Sequence, residues 1–159
     1  MSRASWYRRA LAYLPDYTKA RVHLAEVCSY RGCFCEAEAL LLPALSRSEP
    51  EVRWRLGDAL IAQGRVEEGR IHLEAARCGF NRLLEARLLA FADHAAEFYR
   101  GSGNDPRRAL ELARANAVNR PTRRSIGLAR TLAGRVEHTT RAGGWILSAA
   151  SQTPAAASP

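Results

Sequence analysis

Three of the four cysteines, Cys28, Cys33 and Cys35, fall close together, and Cys78 stands alone farther on. A Cys-x-Cys pair with a third thiol nearby could hold a soft metal. Structural zinc sites, however, close a tetrahedron with C-x2–4-C pairs or with histidines at regular spacing. The remaining ligand here would be distant Cys78, so no metal is expected. Cys28 and Cys78 read instead as small buried apolar residues, and Cys33 and Cys35 straddle a helix start. The four histidines, His23, His72, His94 and His138, are scattered. Asp93 and His94 are neighbours on a helix and so do not face one another. "GSGND" at 101–105 has neither the lysine nor the preceding strand of a phosphate loop, and no zincin or nucleophile-elbow motif occurs. The chemistry-bearing residues thus predict neither an enzyme nor a cofactor.

Charge is the next candidate. Lys and Arg number 24 against 16 Asp and Glu, a net charge of +8, which could serve an acidic partner or nucleic acid. All but one of the cations are arginine, Lys19 being the exception, and they are spread along the chain as at Arg8, Arg53, Arg70, Arg87, Arg107 and Arg135. Such dispersion does not make a patch, and nucleic-acid binding is not expected. No apolar run reaches the roughly 18 residues of a membrane span, and "MSRASWYRRALAYLP" lacks the apolar core of an export signal. A cytoplasmic protein with free thiols is the expectation.

The elements that position these residues read as helices. Ala, Leu, Arg and Glu dominate, and alternating Val, Ile and Thr runs are absent. Apolar stripes and turn residues predict helices over about 18–31, 34–46, 51–63, 66–78, 82–99, 106–118 and 122–133. Gly32 and Gly64 close two of them, and Asp105-Pro106 is a cap followed by the first helical position. Gly64-Arg65-Val66-Glu67 recurs as Gly134-Arg135-Val136-Glu137, 70 residues on, and Gly32 stands 32 residues before Gly64. A period in the low-to-middle thirties indicates an array of helix hairpins.

Set in register, the segments resemble the tetratricopeptide repeat family, whose pattern is W-x2-L-G-x2-Y, A-x3-F and P over about 34 residues. The copy at 50–81 has Leu56-Gly57, Leu60 and Gly69-x3-Leu73; its Trp place holds Arg53, with Trp54 one step late. The copy at 18–49 has Leu24-Ala25, Cys28 and Ala37-x3-Leu41. A third, at about 85–121, has Leu88, Phe91-Ala92, Ala95, Ala109-x3-Ala113 and Pro121. A fourth begins at Ile126-Gly127 and fades. Tyr7, Ala10-Leu11 and Pro15 match the end of a repeat whose first half is missing. The resemblance spans about residues 3–137. It implies an all-α, right-handed solenoid of antiparallel helix hairpins over 16–140, preceded by a half-repeat or capping helix over 1–15. A low-complexity tail, expected to be disordered, follows over 141–159, with Trp145, Ile146 and Leu147 as a makeshift cap or a short partner-binding motif.

It also gives the glycines a role: Gly57 and Gly69 fill the small-residue places of two facing helices, as Ala25 and Ala37 do one repeat earlier, whereas Gly64 serves the turn. In the resembled family the first helix of each repeat lines a concave groove that binds a peptide or partner helix. By position the groove draws on Lys19, Val22, His23, Glu26 and Tyr30, then Glu51, Trp54, Arg55, Asp58 and Ile61, then Leu89, Asp93 and Glu97, and last Arg124 and Leu128. Trp54 is the expected anchor, with burial in the core as its alternative. Members that clamp a C-terminal carboxylate use Lys, Asn and Arg, but here those places hold Val22, Glu26, Arg55 and Glu51, so that ligand is not expected. The implied function is a protein–protein interaction scaffold. The alternatives are a basic helical module for nucleic acid and a spacer or dimerisation segment, the incomplete first repeat being completed by a second copy.

Overall fold

The computed structural model describes the backbone of residues 2–150 and the side chains of residues 2–138, and over that range the chain is all helix with no strand. Ser2 caps α1 (Arg3–Tyr13), its hydroxyl accepting from the Ser5 amide at 3.3 Å. Next come α2 (Thr18–Tyr30) and α3 (Phe34–Leu41), which tightens into a 3₁₀ segment, Leu42–Arg47. That tightening falls at Pro43, whose missing N–H cannot continue the α ladder. Then follow α4 (Pro50–Ala62), α5 (Val66–Arg100), α6 (Pro106–Asn119) and α7 (Arg123–Ala150). Asp105 caps α6, accepting from the Arg108 amide at 2.9 Å, with Pro106 in the first turn as expected.

Three boundaries differ from expectation. The helices anticipated at 66–78 and 82–99 are one run, broken only at Arg87, whose backbone leaves helical geometry (φ −151°, ψ 67°). Gly79 does not end a helix. It is small because Pro50 lies against it: an added Cβ would stand 2.9 Å from the proline Cβ. At the other end, α7 does not stop at Gly134 but continues to Ala150, so residues 141–150 of the anticipated tail are helical. Residues 151–159, and the side chains of Trp145, Ile146 and Leu147, lie outside the described residues.

The chain divides into two compact units, Met1–Phe91 and Ala92–Pro159. In the first, α1 packs on α2, α2 on α3 and α3 on α4, and α2 also meets α4 directly. Its core gathers Leu24, Ala25, Cys28, Ala37, Leu41, Leu56 and Leu60. In the second, α6 packs on α7, burying Ala92, Phe98, Ala109, Leu112 and Leu132. The buried amide of Asn116 donates to Asp93 there at 3.2 Å. Pro121 lies exposed just past the end of α6.

Two of the four small-residue places, Gly57 and Gly69, face one another closely. Ala25 and Ala37 are fully buried. A Cβ on Gly57 would lie 2.8 Å from the Gly69 carbonyl oxygen, and one on Gly69 would lie 2.7 Å from the Gly57 carbonyl oxygen and 2.6 Å from Ile61 Cγ1. The two backbones touch, which offsets the roughly 1 kcal/mol that glycine costs within a helix. Gly32 and Gly64 are the turn glycines, at φ +76° and +85°. Gly134 is not their counterpart despite the repeated Gly-Arg-Val-Glu: it sits inside α7 with nothing within 4 Å of an added Cβ. The four-residue match is therefore a coincidence of sequence, and the 32-residue spacing of Gly32 and Gly64 is the structural one.

One buried polar atom in the first unit has a thermodynamic consequence. Nδ1 of half-buried His72 makes no hydrogen bond among the described residues. Burial, with Arg53 and then Arg65 adding repulsion against a partial offset from Glu68, holds its pKa below the usual imidazole value. The unfolded chain then binds the proton more readily than the folded one. The stability conferred by the neutral ring is full above the unfolded pKa and falls as pH drops through about 6.5 toward the folded value. Between pH 7 and 5 the wild type should lose more melting temperature than His72→Gln. Parallel curves for the two proteins would show that His72 contributes nothing to the acid sensitivity.

Candidate partner-binding face

Lys19, His23, Glu26 and Tyr30 recur every three or four residues along α2, and Glu51, Arg55 and Asp58 do so along α4, so each set forms one stripe. Because α2 meets α4 directly, the stripes are joined. Glu26 is the joint: one carboxylate oxygen pairs with His23 Nδ1 at 2.9 Å and the other with Arg55 Nη2. Arg55 in turn lays its guanidinium over the Trp54 ring, 3.6 Å from the centroid, a cation–π contact. From α1, Tyr7 stacks on His23 with centroids 5.3 Å apart and an interplanar angle of 26°. Tyr7, His23, Glu26, Arg55 and Trp54 thus form one connected chain across three helices.

The network fixes side chains that would otherwise be free on the surface. Glu26 and Arg55 are both about a quarter exposed, so their attraction is less screened than that of a surface pair. Arg55 Nε is buried and makes no hydrogen bond among the described residues, which leaves the guanidinium held by Glu26 and by the indole face. Around this rigid centre stand exposed Lys19 and Tyr30, the latter 91% exposed, and half-buried Glu51, Asp58 and Ile61. Both signs of charge are present, and Glu26 already occupies the one favourably placed arginine. The arrangement offers no clamp for an isolated carboxylate.

Of the groove residues expected on α2 and α4, two are not on the face. Val22, 2% exposed, is core. Trp54 is 5% exposed and meets Phe80 edge to face, centroids 6.2 Å apart at 71°. The reason is the length of α5: because that helix does not end at residue 78, it carries Phe80 to the ring and covers it. Trp54 therefore takes its core alternative and is not an exposed anchor. Leu89 is exposed near the end of the first unit. Asp93, Glu97, Arg124 and Leu128 belong to the second unit. There Glu97 pairs with Arg100 and, at 3.7 Å, with Arg124, Asp93 accepts from Asn116, and Leu128 is buried.

A second polar cluster was not anticipated. Glu38 on α3 accepts from Gln63 Nε2 at 3.0 Å and from Arg65 Nη1 at 2.7 Å, and Arg65 also grips Glu68 at 2.6 Å. The Gln63 and Arg65 bonds hold the Glu38 carboxyl below its usual pKa. The cluster ties the α4–α5 turn to α3. Its sequence signal was the pair Gln63 and Arg65 flanking Gly64, one turn's donors aimed at the preceding helix. Cys78, expected inside, is exposed. Among the described residues no group of three or more His, Cys, Asp and Glu could hold a metal, and no helix is long and apolar enough to cross a membrane.

No family model matches the chain, and no curated protein matches its sequence.

Proposed function

We propose that the chain is a tetratricopeptide-like array of helix hairpins that binds a peptide or partner helix on the face shared by α2 and α4, and so scaffolds an assembly. The carrying observation is the α2–α4 juncture itself, where Glu26 locks His23 and Arg55 into one preorganised polar strip. A strip whose rotamers are already fixed loses little entropy when a partner docks. Three features favour the repeat reading. The first helices of two successive hairpins, α2 and α4, meet directly. The turns after α2 and α4 share glycines of positive φ, 32 residues apart. Gly57 and Gly69 occupy a close approach between α4 and α5, and Ala25 and Ala37, 32 residues earlier, are fully buried. The mixed charge of the strip suits a ligand that itself carries both signs, as an amphipathic helix does.

The test is affinity capture with the wild type and with Arg55→Glu, identified by mass spectrometry. A partner protein retained by the wild type should be held at least about tenfold more weakly by Arg55→Glu, with helical circular dichroism preserved. Retention should survive nuclease treatment. Retention that disappears with nuclease and falls steeply with salt would transfer the function to nucleic acid. A dimer in solution with nothing retained would favour the spacer and dimerisation role.

A further inference from the structure

We propose that Cys28 and Cys33 form an intrachain disulfide across the α2–α3 turn when the protein meets a mild peroxide, making this turn a thiol modification site. The turn is a Schellman motif: Gly32 has φ +76°, its amide donates to the Ser29 carbonyl at 3.0 Å, and the Cys33 amide donates to the Cys28 carbonyl at 2.9 Å. In that motif the side chains of the two residues joined by the longer hydrogen-bonded loop frequently meet, and here both are cysteine. Standard backbone geometry at each end of a 2.9 Å bond holds the two Cα atoms no more than about 6.8 Å apart, and any departure from collinearity brings them closer. A disulfide spans that distance. The α4–α5 turn repeats the motif, with the Arg65 amide donating to Leu60 at 3.0 Å, but there the facing pair is Leu60 and Arg65. The sulfur pair is thus specific to the first hairpin.

The two thiols have unequal roles. Cys33 is exposed, with its sulfur 3.9 Å from the Arg31 carbonyl on the α2 side of the turn. Cys28 is buried and donates to Glu36. Its burial and then the Glu36 carboxylate push its thiol pKa up, and Cys33 is near enough to add to that push. Cys33 therefore reacts first: its thiolate attacks one oxygen of hydrogen peroxide, releasing hydroxide and leaving a sulfenic acid. The Cys28 sulfur then displaces water from that sulfur, its proton leaving with the hydroxyl, so that two thiols and one peroxide yield one disulfide and two waters. Glu36, the acceptor of the Cys28 proton, is suited to assist the second step. Cys35 is differently employed, its thiol donating to Gln63 Oε1 at 3.3 Å on the α4 side.

Trypsin cleavage after Arg21, Arg31 and Arg47 places Cys28 in peptide 22–31 and both Cys33 and Cys35 in peptide 32–47. The reduced full chain is treated with stoichiometric hydrogen peroxide, blocked with N-ethylmaleimide, digested and analysed by mass spectrometry. The expected product is the joined pair of peptides, lighter by two hydrogens than their sum and separated again by dithiothreitol. Cys35→Ser should give it in wild-type yield, and Cys33→Ser, a change at an exposed position, should reduce it at least tenfold. Recovery of Cys28 wholly as its maleimide adduct would overturn the proposal. So would a joined pair that persists in Cys33→Ser and vanishes in Cys35→Ser, or oxidation confined to bonds between chains through Cys78.

Discussion

Gly57→Ala should destabilise the protein by about 1–3 kcal/mol, while the same exchange at Gly134 should stabilise it by about 0.5–1 kcal/mol. Both glycines sit within helices and neither has a positive φ. On intrinsic propensity alone both substitutions gain stability, since alanine loses less backbone freedom on folding. What separates them is the space a methyl group would enter. At Gly57 it would stand 2.8 Å from the Gly69 carbonyl oxygen and 2.8 Å from Leu73. Leu73 can rotate away, but the carbonyl is backbone in α5, and the opposing methylene of Gly69 is pinned in turn by Ile61. Relief requires α4 and α5 to separate, which opens the core between them. At Gly134 there is nothing to displace. Urea unfolding of the two variants beside the wild type is the measurement. Equal signs for both would mean that the α4–α5 contact is looser than it stands.

The same pair of positions shows how far the sequence could be read. Gly57 and Gly69 were interpretable because each small residue falls at a fixed place relative to an apolar stripe on its own helix. The 32-residue echo of Ala25 and Ala37 then confirmed the register. Gly134 was misleading because a four-residue match carries no stripe with it. A glycine followed by Arg-Val-Glu continues a helix as readily as it ends one, and only the absence of a facing backbone distinguishes the two. Helix ends set by local chemistry, such as Asp105-Pro106 and the Gly32 and Gly64 turns, fell where expected. Ends set by tertiary packing did not. A helix end was expected near residue 78, but the run continues, and the missing side chain of Gly79 answers to Pro50, 29 residues earlier in the chain. The continuation of α5 past Gly79 is in turn what encloses Trp54.

The candidate face divides in the same way. The repeat resemblance implied one groove for Lys19, His23, Glu26 and Tyr30, and then Glu51, Arg55 and Asp58, and the pairing of Glu26 with Arg55 joins the two sets. Periodicity has an angular tolerance of about half a side chain, however, and Trp54 and Val22 lie at the margin where one step decides between groove and core. Tyr7 was visible only as a repeat signature, because its stacking on His23 depends on the crossing of α1 over α2.

Trp54→Ala should therefore behave as a core truncation and lower stability by about 3–5 kcal/mol, far more than an exposed anchor would. The buried indole packs edge to face on Phe80 of α5, and its removal strands Phe80, itself 1% exposed, against a cavity. It also takes away the surface on which Arg55 rests, so the variant confounds folding with binding. Trp54→Phe resolves the two. A smaller ring keeps an aromatic contact with Phe80 and a π face under Arg55, so it should lose only about a third to a half of that stability. It should also retain any partner that Arg55→Glu releases. A double-mutant cycle of Trp54→Leu with Phe80→Leu should give a coupling of about 0.5–1.5 kcal/mol for the edge-to-face pair. Additive effects in that cycle, or a Trp54→Ala protein as stable as wild type but unable to hold a partner, would return Trp54 to the surface as an anchor. The binding strip would then have to be redrawn around it.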